Sequence, residues 1–184
     1  MVPYLETHGM LRANPETHNG NLAFLVRHQL LADEGVDGPP VTTVRGCAVM
    51  ATFANGLTIA NVHLAPGPGA MGERLEQLAQ VVESSPTPHL LIVGDTNTRV
   101  DEAFPLADAG FTGAKPSQPT WNSKSNRFHD DVPEFSAYFT RWFATELVEV
   151  SDVEVWQEAV VHDGHRFHLS DHFAMSGSVR LRSD

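Results

Sequence analysis

Three short stretches of the sequence place polar side chains directly after apolar runs. "ANVHL" contains His63, "GDTN" contains Asp95 and Asn97, and "LSDHFAMSGSV" contains Asp171 and His172. A carboxylate can align and partly deprotonate a water, and an amide can donate to a phosphoryl oxygen. An imidazole can bind a phosphate oxygen or protonate a leaving group. Together these residue types are suited to the hydrolysis of a phosphoester.

Each stretch also has a purely structural interpretation. His63 could be an ordinary surface histidine, and "GDTN" could be an Asx turn that closes a strand. Asp171 and His172 could form the turn at the start of a strand. In the chemical interpretation, Asp171 binds a hard divalent cation and His172 contacts a phosphate or a water.

The elements that must position these residues are strands and one long helix. Strands are predicted at 22–27, 47–53, 57–63, 89–93, 135–143, 147–155 and 173–180, with a hairpin turn at "ANG". The run "LLIV" before Asp95 is typical of a strand buried on both faces. Leu75, Leu78, Ala79 and Val82 predict the apolar stripe of a helix in "GAMGERLEQLAQVVESS", and a shorter helix is predicted over 102–109. This pattern predicts a layered α/β sandwich.

Composition narrows the classes of protein. The 184 residues are enough for one domain, 1–184, and no run approaches the roughly 18 apolar residues of a membrane span. The net charge of −11 argues against a broad basic face for nucleic acid, although a bound metal can supply local positive charge. The only cysteine, Cys47, is expected to be a buried thiol, and no leader peptide is recognised, so a cytoplasmic protein is expected.

The order of the motifs is more specific than any one of them. The series runs from "N-x-H-L" through a helix, "GD-x-N" and "PTW" to "SDH" before a last strand. It resembles the endonuclease/exonuclease/phosphatase superfamily over about residues 20 to 180. The resemblance implies a four-layered α/β sandwich of two mixed, mostly antiparallel sheets flanked by helices. It implies an active site at one rim of the sheets.

The resemblance also implies roles for the rim residues. Asp95 would orient the attacking water, and Asn97 would hold a phosphoryl oxygen. His63 and His172 would contact the scissile phosphate, and Asp171 would touch a divalent metal, Mg²⁺ or Mn²⁺.

Two departures from the family pattern stand out. The relatives begin with strands that carry an asparagine and a principal glutamate ligand. Here only Glu6 in "PYLETHG" is a candidate for that glutamate, so the fold is expected to be shortened at its N-terminus. Thr140 stands where relatives have an aspartate that supports the final histidine, and a threonine can hydrogen-bond an imidazole but adds no charge. Asp130 or Asp131 could substitute for that aspartate.

Several further residues are candidates for substrate binding. Trp121, at the family's aromatic loop position, could stack on a base or sugar, or could anchor the loop on the sheet. Asn122 follows it, and Arg99 after "GDTNT" could clamp a phosphate. A weaker alternative is a zinc-type site in the histidine-rich stretch "HDGHRFHLSDH".

These features predict a metal-dependent phosphodiesterase, most simply a nuclease whose partner is DNA or RNA. The alternatives are a phosphoester hydrolase for a small or lipid substrate and a non-catalytic binding module. Without the leading strands, one sheet would expose an edge, so a homodimer is also expected.

Overall fold

The computed structural model describes residues 10–12, 25–27, 41–99, 102, 105–126, 128 and 133–182 of the chain. Glu6, Asp130 and Asp131 lie outside these residues. Within them, no helix is long and apolar enough to cross a membrane.

A six-stranded mixed sheet forms the centre of the described structure. Its order is β3–β4–β5–β6–β10–β7, and β5 and β6 run parallel while the other pairs are antiparallel. The strands are β3 (Val41–Val44), β4 (Ala48–Thr52), β5 (Leu57–His63), β6 (His89–Asp95), β7 (Phe111–Ala114) and β10 (Thr140–Thr145). Cys47 lies just before β4, 3% exposed as predicted for a core thiol, and burial raises its pKa.

Helix α1 (Met71–Glu83) connects the two parallel strands. Its buried side chains are Arg74, Leu78 and Val81, whereas Leu75 is 38% exposed. The predicted apolar stripe is confirmed at Leu78 and at Val82, which packs against the core, and is wrong at Leu75 and Ala79, which are exposed. Arg74 occupies a place on the inner face instead. Its guanidinium is satisfied there by two backbone carbonyls and by Glu102.

The central sheet packs on both faces because its strands alternate side chains between them. Leu90 and Ile92 pack towards Leu78 and Val81 of α1. Leu91, one position away, belongs to a second apolar cluster. Helix and sheet therefore make two of the layers.

A two-stranded antiparallel sheet makes the third layer. It consists of β11 (Val148–Trp156) and β14 (Ala174–Leu181), with a register shift between Ser151 and Glu154. Val148, Val150 and Leu181 belong to the second apolar cluster with Leu91 of the central sheet. The structure is thus an α/β fold of mixed and antiparallel sheets with few helices.

Three short antiparallel pairs complete the described elements. They are β1 (Met10–Arg12) with β2 (Leu25–Arg27), β8 (Trp121–Asn122) with β9 (Ser136–Ala137), and β12 (Val160–His162) with β13 (His165–Phe167).

Two predicted elements differ in the structure. The strand predicted at 135–143 is divided between β9 and β10. Ala137 pairs with Trp121, whereas Thr140 pairs with Asp95 of β6, so the chain changes partners between the two strands. The helix predicted at 102–109 is represented, among the described residues, by a 3-10 turn over Ala107–Ala109.

Gly94 provides a test of the sheet geometry. Its φ is +136°, and a Cβ there would lie 2.3 Å from the carbonyl oxygen of Val62 on β5. We expect Gly94→Ala to lower the free energy of unfolding by about 2 kcal/mol or more, through strain and overpacking. Urea denaturation followed by circular dichroism measures this change.

Gly72→Ala in α1 is the matched control, because a Cβ at Gly72 meets no atom within 4 Å. Alanine there should leave the free energy of unfolding unchanged or slightly higher, since glycine is a poor helix residue. Equal stability of the two variants would show that β5 and β6 do not approach as closely as described.

Candidate active site

The parallel pairing of β5 and β6 places His63 beside Asp95. The two residues are register partners at the ends of their strands. His63 Nε2 lies 3.6 Å from Asp95 Oδ2, with the side chains 43% and 21% exposed. The first two motifs therefore meet at one rim of the sheet, within reach of solvent.

The third motif reaches the same carboxylate from the far end of the chain. His172 Nε2 also lies 3.6 Å from Asp95 Oδ2. Its segment is held by a β-bridge between His172 and Trp121, and by the amide of Phe173, which donates to the Thr120 carbonyl at 2.8 Å. Asp95 thus lies between two imidazoles.

Asn97 holds the Asp95 carboxylate by hydrogen bonds. Its side-chain amide donates to Asp95 Oδ2 and to the Leu64 carbonyl, each at 3.0 Å, and its backbone amide donates to Asp95 Oδ1 at 2.9 Å. Asn97 is 6% exposed with a φ of +49°, a left-handed conformation that asparagine tolerates better than most residues. Both amide hydrogens are engaged, which favours a role in positioning Asp95.

Thr140 contacts the other side of His172. It pairs with Asp95 across β10 and β6, and its hydroxyl forms a 3.0 Å hydrogen bond with His172 Nδ1. His172 Nε2 faces the Asp95 carboxylate, which favours the tautomer with hydrogen on Nε2. In that tautomer Nδ1 is an acceptor, and the Thr140 hydroxyl donates to it. The threonine therefore orients the ring, as the sequence predicted, without adding a charge.

Aromatic rings surround His172. Trp121 contacts it edge-on at 5.2 Å between ring centroids, and Phe139 lies at 6.1 Å. Trp121 also stacks on Phe135 at 5.7 Å, and its buried Nε1 has no hydrogen-bond partner among the described residues. Trp121 therefore packs as a loop anchor and at the same time forms a wall beside His172.

Arg99 lies on this aromatic group. Its guanidinium is 4.6 Å from the centroid of the Phe139 ring, and within the described part of the chain its buried Nε has no hydrogen-bond partner. Arg141 supports the segment below by donating to the Tyr138 carbonyl at 2.8 Å and the Thr98 carbonyl at 3.2 Å. Burial lowers the pKa of Arg141, and the Glu102 carboxylate opposes that effect.

Asp171 is held through its backbone next to this site. Asn126 donates to the carbonyls of Ser170 and Asp171 at 2.8 and 3.1 Å. The Ser170 hydroxyl donates to Asp171 Oδ1 at 3.2 Å. Asn122, predicted to bind substrate, uses its side-chain oxygen to accept the Lys124 amide at 3.1 Å, which shapes the same loop.

The described residues contain no group of three or more His, Cys, Asp or Glu side chains that could hold a metal. Asp171 offers the kind of oxygen ligand that suits Mg²⁺, an ion that often uses one or two carboxylates, water and substrate oxygens. The histidines of the alternative zinc site form no group of three among the described residues: His162 and His165 are exposed cross-strand partners on the β12–β13 hairpin, and His168 is 3.2 Å from the Ser125 carbonyl.

An ion pair that the sequence analysis did not predict holds the loop after His63. Arg74 Nη1 donates to the carbonyls of Ala65 and Gly67, each at 2.9 Å, and Arg74 pairs with Glu102. Gln77 accepts the Ala65 amide at 2.8 Å. An arginine in the apolar stripe of α1 was the available signal.

Replacing Thr140 with valine tests its contact with His172. Valine keeps the shape but removes the hydroxyl, so the stability should fall by about 1 kcal/mol. His172 Nδ1 loses the hydrogen bond from the hydroxyl, so its nitrogen-15 resonance should shift, whereas Asp95 should continue to favour hydrogen on Nε2. Nitrogen-15 NMR of the imidazole reports the tautomer, and thermal melting reports the stability.

Thr43→Val on the exposed face of β3 is the control for this change. It should alter neither the His172 signals nor the stability by more than a few tenths of a kcal/mol. Identical nitrogen spectra for wild type and Thr140→Val would contradict the proposed orientation of the ring.

Solved structures similar to this chain were found, although no protein-family model and no curated protein sequence matches it. TDP2 of D. rerio, solved with a single-strand DNA product, has a TM-score of 0.66 at 18% identity, covering 98% of this chain and 81% of that one. The mannosyl-6-phosphatase Bt3783 of Bacteroides thetaiotaomicron has a TM-score of 0.52 at 13% identity, covering 73% and 57%.

A third similar structure is named for the family itself. It is an endonuclease/exonuclease/phosphatase family protein from Bacteroides thetaiotaomicron, with a TM-score of 0.51 at 14% identity, covering 72% of this chain and 54% of that one. The chain therefore has the fold of the endonuclease/exonuclease/phosphatase superfamily.

Proposed function

We propose that this protein hydrolyses phosphodiesters, and that its natural substrate is nucleic acid. The observation that carries the proposal is the convergence of His63, His172 and Asn97 on the single carboxylate of Asp95. The likeness to TDP2 with its single-strand DNA product, and to a mannosyl-6-phosphatase, supports phosphoester chemistry on this fold.

The proposed reaction is an in-line attack of water on phosphorus. Asp95 accepts the proton of the attacking water, a new P–O bond forms, and the bond to the leaving oxygen breaks. The imidazoles of His63 and His172 both lie 3.6 Å from Asp95 Oδ2 and can donate to phosphoryl oxygens or to the leaving group. Asn97 holds Asp95 at the required angle.

The metal-dependent part of the proposal rests on Asp171. Its carboxylate would hold Mg²⁺ or Mn²⁺ together with a second carboxylate, for which Glu6 is the candidate outside the described residues. When bound, such an ion neutralises the negative charge that develops on the phosphoryl group. Asp171 itself is oriented by the hydrogen bonds from Asn126 to its loop.

Substrate contacts are proposed for Arg99, Trp121 and Asn122. The guanidinium of Arg99 lies over the ring of Phe139, which is next to His172, so it can meet a phosphate that neighbours the one being cleaved. The net charge of −11 confines any attraction for a polymer to such local cations.

A second candidate is a phosphoester hydrolase for a small substrate. The acidic composition and the likeness to a phosphatase favour it. Cytoplasmic location, a homodimer and a fourth layer that completes the sandwich stay predictions.

Substitution of the two central residues tests the mechanism. Asp95→Asn and His172→Ala should each lower the hydrolysis of bis(p-nitrophenyl) phosphate and of a single-stranded oligonucleotide by about a hundredfold or more. The loss should fall on kcat, because these groups act on the reacting atoms. Initial rates over a range of substrate concentrations measure this effect.

The control variants keep the same change of residue type away from the site. His89→Ala lies at the opposite end of β6, and Asp108→Asn is exposed on the 3-10 turn. Both should retain the wild-type rate. Near-wild-type rates for Asp95→Asn or His172→Ala would refute the assigned roles.

A substrate and metal panel separates the two candidate functions. Plasmid DNA, single-stranded DNA, RNA and the small diester are each incubated with Mg²⁺, Mn²⁺, Ca²⁺ or EDTA. The nuclease predicts cleavage that requires Mg²⁺ or Mn²⁺ and falls as sodium chloride rises. Hydrolysis of the small diester alone, with little response to salt, would favour the second candidate.

A further inference from the structure

A pocket lies beside the candidate active site, and none of the proposed catalytic residues lines it. Its volume is about 390 Å³, and the residues that line it are Ser125, Phe128, Ala159, Arg166, Phe167 and His168. One wall belongs to the segment that follows Trp121, and the other belongs to strand β13 and the residues next to it.

Hydrogen bonds connect this pocket to the catalytic rim. Asn126, next to the lining residue Ser125, donates to the carbonyls of Ser170 and Asp171. His168 bridges the two walls through its 3.2 Å contact with the Ser125 carbonyl. The pocket is therefore formed by the same two segments that place Trp121 and His172 in contact.

The lining side chains combine aromatic surface with one cation. Phe128 and Phe167 are 48% and 41% exposed, so part of each ring is accessible to a ligand. Arg166 is exposed, and within the described part of the chain its guanidinium has no hydrogen bond or ion pair. A planar ring and an anion carried on one ligand would satisfy both features.

We propose that this pocket is a nucleotide subsite for a single-stranded nucleic acid. It takes the base of a nucleotide next to the bond that is cleaved, against the Phe167 ring, while Arg166 binds the adjoining phosphate. The inference rests on the proposed function, since it extends the substrate away from Asp95. Base stacking on aromatic rings tolerates any sequence, so the subsite selects for an unpaired strand and not for a sequence.

The charge of the protein favours this mode of binding. The net charge of −11 argues against a broad basic surface that could hold a duplex backbone. Affinity must therefore come from a few local contacts, of which stacking depends least on salt. A pocket with exposed rings and a single arginine supplies this combination.

Binding can be measured without relying on catalysis. All variants are made in the Asp95→Asn background, and fluorescence anisotropy follows a labelled strand of about ten nucleotides, within the length that such single-strand sites cover. Parallel titrations use the DNA strand, the RNA strand of the same sequence and the DNA duplex. Phe167→Ala should weaken single-strand binding about tenfold. Arg166→Ala should weaken it and lower the slope of log affinity against log salt by about one.

Matched controls lie on exposed positions away from the pocket. Leu75→Ala on α1 removes an exposed apolar side chain, and Arg182→Ala removes an exposed arginine. Neither should change the affinity for the strand. Arg166→Glu is a second change of the same position, and circular dichroism checks that every variant is folded.

The outcomes separate this subsite from the proposed function. Weaker binding by both pocket variants supports the subsite, whether or not the wild type hydrolyses the small diester. Binding that is unchanged in both variants overturns it, even if Asp95 proves essential for hydrolysis. The absence of single-strand binding, or a preference for the duplex, overturns it as well. Comparison of the DNA and RNA titrations identifies which strand is the source of the nucleotide.

Discussion

The close parallel pairing of β5 and β6 is the constraint on which the site depends. At Gly94 the backbone passes so near to Val62 that a Cβ would lie 2.3 Å from its carbonyl oxygen. This approach keeps the two strands in register up to their last pair, His63 and Asp95. The connection between the two strands is long enough for a parallel crossover, and it contains helix α1, which packs on one face of the sheet. The first two groups of the site are therefore set by backbone geometry.

The remaining groups of the site are held by their contacts with the partly buried carboxylate of Asp95. Three nitrogen-bearing side chains surround Asp95, and Asn97 contributes both its side-chain and its backbone amide. Thr140 then restrains His172 by a neutral hydrogen bond. The local arrangement of polar groups thus gives the site its chemistry, within a protein whose net charge is strongly negative.

Sequence reasoning was most successful where the side-chain pattern is local. The apolar run before Asp95 and the alternation in "VEVSDVEV" predicted strands that the structure contains, and motif order anticipated that His63, Asp95 and His172 would meet. It failed where a tertiary contact decides. Arg74 lies on the inner face of α1, where the pattern predicts an apolar residue, because its guanidinium pairs with Glu102, 28 residues away in the sequence. The β12–β13 hairpin was missed because its residues are exposed, so no apolar alternation marks it.

The same distinction explains why the aromatic residues could not be assigned from sequence alone. Trp121 has two contacts that local pattern does not reveal: it stacks on Phe135 and it meets His172 edge-on. A side chain that anchors a loop and also borders the candidate site must keep its position whether or not a substrate is present. The backbone bridge between Trp121 and His172 then holds the histidine in a fixed position relative to the tryptophan. Structural and chemical roles are therefore not alternatives at this position, because the first makes the second possible.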